Sequence, residues 1–167
     1  MEKTTKLEAL LSVIKDWRLT LSGLMGIALL LPIYNTAQFF TVIIGFNLLF
    51  NAFDLLGYRN VLQSETHNTQ GIELPSYRIM QSLFQVTLLV LIYLLYGWKV
   101  VLCAELLHWC GFQDWLYYFI GRYKMPGVWT WLTWSPVGFF NGDVTDKELT
   151  IQILIGMMVS ILIYWFF

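Results

Sequence analysis

Apolar residues in this chain fall into long runs separated by short polar clusters. A helix that crosses a bilayer needs about 20 mostly apolar residues. Five stretches approach that length: 19–36, 38–57, 81–97, 100–120 and 149–167. The pattern predicts an all-α integral membrane fold with five transmembrane helices. The third and fourth stretches are divided only by Trp98 and Lys99, after Gly97. A glycine stop there makes them a hairpin. One continuous helix through 81–112 would instead give four spans.

The remaining segments do not have the length to cross. Within residues 1–18, Leu7, Leu10, Leu11 and Ile14 recur at helical spacing, which predicts an amphipathic segment lying on the membrane surface. The apolar run after it is long enough to remain as a span, so no cleavable signal peptide is expected. Residues 58–79 are polar, contain Pro75 and read as a loop. Residues 121–148 hold Trp129, Trp131, Trp134, Pro136 and Gly138, and the run VWTWLTWSPVGFF is too short and too broken to span. It predicts a Trp-rich interfacial loop or a shallow re-entrant turn before the last helix. Residues 1–167 then form a single membrane domain.

Composition strengthens this picture. The chain is 57% hydrophobic and 13% charged, against roughly 25% charged in ordinary soluble domains. A soluble fold of this size has too little interior to hide so much apolar surface. The net charge of −1 gives no basic field for nucleic acid. Cys103 and Cys110, if on one helix, stand about 10 Å apart, too far for a disulfide, so both are expected as free thiols.

Cytoplasmic loops carry an excess of Lys and Arg. With five spans and a cytoplasmic N-terminus, Lys3, Lys6, Lys15, Arg18, Arg59, Arg78, Arg122, Lys124 and Lys147 all lie inside and only Lys99 outside. Merging the middle segments spoils that asymmetry. The expected location is a cell inner (plasma) membrane, as a multi-pass protein.

Ionisable groups inside a span are costly and often functional, and here they are few. Asn47, Asn51 and Asp54 share a face of the second span. Glu105 and His108 are neighbours at i, i+3 in the fourth, followed by Asp114 and Tyr117. On a straight helix Asp114 and Tyr117 fall roughly opposite Glu105, so all could face one cavity only if Gly111 breaks the helix. One reading makes Glu105, His108 and Asp114 catalytic acid/base groups. Asn47, Asn51, Asp54 and Tyr117 then bind the ligand, with Arg59 and Arg122 at the mouth of a cavity open to the cytoplasmic leaflet. The Trp-rich segment would be its lid or floor, and the basic mouth would suit an amphiphile with an anionic head. The competing reading makes the polar residues hydrogen-bonded glue between helices, and the basic ones ordinary positive-inside anchors.

No HExxH, CxxC, GxSxG, P-loop or GxGxxG pattern occurs. No metal site is expected within one protomer; Glu105-x-x-His108 matches one diiron element, but a metal would need a homodimer to complete it. The cofactor is left open. Three functions follow: an enzyme acting on a lipid or isoprenoid-like amphiphile, a scaffold forming a homo-oligomer or joining other membrane subunits, or a small oligomeric transporter or channel. The expected surroundings are the lipid bilayer and a lipid-like ligand, with no nucleic acid.

Overall fold

The computed structural model describes residues 17–31, 37–65 and 73–166. Residues 1–16 of the expected amphipathic segment lie outside them, as do 32–36, 66–72 and 167. The described chain is mostly helical: α1 (Trp17–Leu30), α2 (Gln38–Glu65), α3 (Glu73–Tyr96), α4 (Trp98–Trp109), α5 (Phe112–Gly121), α6 (Pro136–Asn141) and α7 (Asp146–Phe166), with a two-stranded ribbon of β1 (Val128–Trp129) and β2 (Val144–Thr145).

Among the described residues two helices, Ser76–Tyr96 and Asp146–Phe166, are long and apolar enough to cross a membrane. Neither is a buried core helix. Leu83, Val86, Val90, Leu94 and Leu95 of α3 are exposed, as are Leu154, Ile155, Met158 and Leu162 of α7. Shorter apolar helices cover Thr20–Leu30 and Gln38–Asp54.

The segment expected as a loop over 58–79 is largely helical. Residues 58–65 contain no glycine or proline, so polarity ends the apolar run without ending α2. Pro75 sits in the first turn of α3, where its missing N–H leaves no bond unmade.

At Gly97 the backbone takes φ +82°, and the chain reverses between α3 and α4. Gln85 Nε2 donates to Glu105 Oε1 at 2.8 Å, whereas in one straight helix those residues would stand about 30 Å apart. The continuous helix through 81–112 is therefore not formed.

The stretch expected as one fourth span is broken. Gly111 takes φ +79°, and α5 leaves the line of α4 to pack against α1 and α2. Twelve residues of α4 rise only about 18 Å. The break is braced from α7, whose buried Gln152 donates through Nε2 to the Cys110 carbonyl at 2.9 Å. Gln152 Oε1 accepts from the Val137 N–H at 3.2 Å, at the start of α6. One side chain thus satisfies backbone groups at two helix ends.

The Trp-rich segment is held in the same way. Trp129 is fully buried, donates its indole N–H to Asp146 Oδ1 at 2.6 Å and packs edge-on to Tyr118. Its strand pairs antiparallel with β2, Val128 opposite Thr145 and Trp129 opposite Val144. α7 then opens with a capping box: Thr145 Oγ1 accepts from the Glu148 N–H at 3.3 Å, and Glu148 Oε2 accepts from the Thr145 N–H at 2.8 Å.

The core lies between α2, α4 and α7, built on Val42, Ile43 and Phe46, on Cys103, Ala104 and Leu107, and on Leu149 and Ile153. α1 meets α2 backbone to backbone, because a Cβ on Gly26 would lie 2.7 Å from the Leu49 nitrogen, and one on Gly45 would lie 2.9 Å from the Gly26 carbonyl oxygen. Gly156 is likewise closed against Cys110 and Leu107. These small residues join helices within the chain.

Candidate functional site

A cavity of about 610 Å³ opens where α2, α3, α4, α5 and the Trp-rich segment meet. Its wall carries Asp54 from α2, Arg78, Gln81 and Gln85 from α3, His108 from α4, and Gln113, Asp114 and Tyr117 from α5. Trp131 and Trp134 complete it with Phe50 and Tyr118.

Asp54 is the centre of a closed hydrogen-bond network. Its carboxylate accepts from the Tyr77 hydroxyl, from Gln81 Nε2 at 2.5 Å and from Gln113 Nε2 at 2.8 Å. Arg78 Nη1 donates in turn to Gln81 Oε1 at 2.6 Å. This network ties α2, α3 and α5 together, and a carboxylate with charge-assisted donors from two other helices is held firmly. Asp54 was expected near the cytoplasmic end of its helix. Because α2 continues to Glu65, it lies about 16 Å from that end.

Asp114 and His108 differ from Asp54. Asp114 Oδ1 accepts the indole N–H of Trp131 at 3.0 Å. His108 is only 8% exposed, yet no hydrogen bond reaches its ring and Nδ1 is sealed without a partner. Phe50 meets the imidazole in a T-shaped contact at 4.8 Å, and the Trp134 ring lies 6.1 Å away. A buried polar atom left unpaired costs about 1–3 kcal/mol, so a ring that carries one while bordering a cavity calls for an explanation.

The break at Gly111 decides which groups meet. His108 precedes it and Asp114 and Tyr117 follow it, and the change of direction brings all three onto one wall. A straight helix would have kept them apart. Trp134 is positioned from α4, where the Trp109 indole donates to its carbonyl at 2.5 Å.

Several expected site residues stand elsewhere. Glu105 does not pair with His108; its carboxylate is taken by Gln85, because α3 packs beside α4 at that depth. Asn47 and Asn51 are fully buried, with Asn47 Nδ2 bonded back to the Ile43 carbonyl at 3.0 Å, and neither lines the cavity. They face core packing between helices. Arg122 is exposed at the end of α5, in the left-handed region at φ 55°, away from the cavity wall. Arg59 lies on α2, and its side chain is outside the described part.

Arg78, Gln81 and Gln85 were not expected at the site. Their spacing at i, i+3 and i+7 was a polar stripe on one helical face. It was hidden because the third span was begun at residue 81, leaving Arg78 in a presumed loop.

Among the described residues no group of three His, Cys, Asp or Glu side chains is placed to hold a metal ion. What the wall can do chemically is bind a polar group through carboxylates, amides and indoles, and exchange a proton with it at His108 or Asp114. No protein-family model, no curated protein and no solved structure matches this chain.

Proposed function

We propose that this chain is a multi-pass membrane protein that acts on a lipid-like amphiphile by acid/base chemistry, with His108 and Asp114 exchanging protons with the amphiphile's polar head. The observation that carries the proposal is His108: packed, without a hydrogen bond and on the wall of the polar cavity that Asp114 also lines. Asp54 and its partners form the supporting frame, since their bonds are already made to one another. Glu105 has no part in the reaction on this reading.

The membrane setting rests on the two long, exposed apolar helices and on the Lys and Arg asymmetry. In the proposed topology the N-terminus is cytoplasmic, α1, α2, α3 and α7 each cross, and α4 with α5 makes the fourth, broken crossing. A bent backbone at membrane depth is tolerated where it lines a cavity and its carbonyls are re-bonded, as the Cys110 carbonyl is by Gln152. The cavity then opens in the cytoplasmic half of the bilayer. Gly26, Gly45 and Gly156 pack helices within the chain, so they give no support to a scaffold role.

The test is native mass spectrometry of the full chain released from mild detergent. A small amphiphile retained by wild type and lost in both His108→Gln and Asp114→Asn is the expected result. A bare protein, or a bound molecule retained equally by both variants, would overturn the proposal.

A further inference from the structure

We infer that the head group this cavity accepts is cationic: a protonated amine carried on an apolar tail. The inference rests on the amphiphile reading above and adds the sign of the charge, which reverses the expectation of an anionic head.

The formal charge of the wall points this way. Among the described residues it holds two carboxylates, Asp54 and Asp114, against one guanidinium, Arg78, and no lysine. Arg78 is exposed and donates to Gln81. An anionic head would enter a poorly solvated space facing two carboxylates with one cation, already engaged, to offset them. Like charges at short range in such surroundings repel strongly.

The aromatic residues supply the second argument. Phe50, Tyr117, Tyr118, Trp131 and Trp134 all border the cavity. The negative faces of such rings attract ammonium groups, and cages of this kind bind quaternary ammonium ligands. Trp131 also fixes a counter-charge among these rings, because its indole N–H holds Asp114 Oδ1 at 3.0 Å. Tyr118 stacks on Trp131 with centroids 6.3 Å apart, which restrains that indole.

His108 supplies the third. Its ring borders the cavity and makes no hydrogen bond, with Nδ1 sealed into the packing. A neutral imidazole keeps one nitrogen able to accept from a protonated amine. A quaternary ammonium, which has no proton to give, would be held by the rings and Asp114 alone and so probes the charge without the proton transfer.

The test uses the full chain in dodecyl maltoside micelles, with tryptophan fluorescence as the readout. Dodecylamine, dodecyltrimethylammonium and dodecyl phosphate are the probes, equal in tail and different in head. Saturable binding of a cationic probe, at least about tenfold tighter than the phosphate, is expected. Asp114→Asn keeps the shape and an oxygen for Trp131, and should weaken the cationic probe by about tenfold or more. Trp134→Leu should weaken it several-fold, with the helical circular dichroism of each variant matching wild type. Tighter binding of dodecyl phosphate, lost in Arg78→Gln, would overturn the charge assignment and leave the amphiphile reading standing. Binding of every probe that Asp114→Asn, Trp134→Leu and His108→Gln all leave unchanged would overturn both.

Discussion

Substituting Gly111 by alanine tests whether the break between α4 and α5 is built as described. Two costs act there. The backbone is left-handed, φ +79° and ψ 18°, which costs a non-glycine residue about 1–2 kcal/mol. The new Cβ would also lie 2.7 Å from Leu149 Cδ1 and 3.2 Å from Leu132 Cδ1, and overpacking of this kind costs about 1–3 kcal/mol. Gly111→Ala should therefore destabilise the protein by about 2–5 kcal/mol in total. A double-mutant cycle separates the terms. Leu149→Ala alone opens a cavity at a cost of about 2–5 kcal/mol. In the Leu149→Ala background the closest clash is gone, so Gly111→Ala should cost little more than its backbone share. Cys103 and Cys110 are free and buried, so a thiol-reactive fluorogenic dye can report unfolding in a thermal or SDS titration. If Gly111→Ala costs the same with leucine or alanine at 149, the break is not packed against α7 and the reasoning fails.

Asp54→Ala should cost at least about 2 kcal/mol, because the amides of Gln81 and Gln113 and the Tyr77 hydroxyl lose their shared acceptor. Asp54→Asn, which keeps an acceptor oxygen, should cost clearly less in the same titration; equal losses would show that the network adds nothing. Thr145→Ala removes one half of the capping box at the start of α7 and should lower stability by about 1 kcal/mol, read as a fall in Tm. An unchanged Tm would mean that this turn is held by the Trp129–Asp146 bond without help from the cap.

The amino-acid pattern alone located the apolar runs and offered Gly97 as a stop between two helices, because these depend on local composition and on the backbone freedom of single residues, while the structure decided for the hairpin over the continuous helix. It also placed Asp54, His108, Asp114 and Tyr117 among the candidates, since a polar group in an apolar run stands out wherever it points. It mistook the end of the apolar run after residue 57 for the end of the helix, since loss of hydrophobicity does not by itself stop helical hydrogen bonding. Only the tertiary structure decided which polar groups meet. Glu105 is bonded to Gln85 across a helix pair, and His108 and Asp114 share a wall because α5 turns at Gly111. That turn is held by Leu149, Leu132 and Gln152, far along the chain. Periodicity along one helix carries no information about such partners, because the direction of a chain after a break is set by what packs against it.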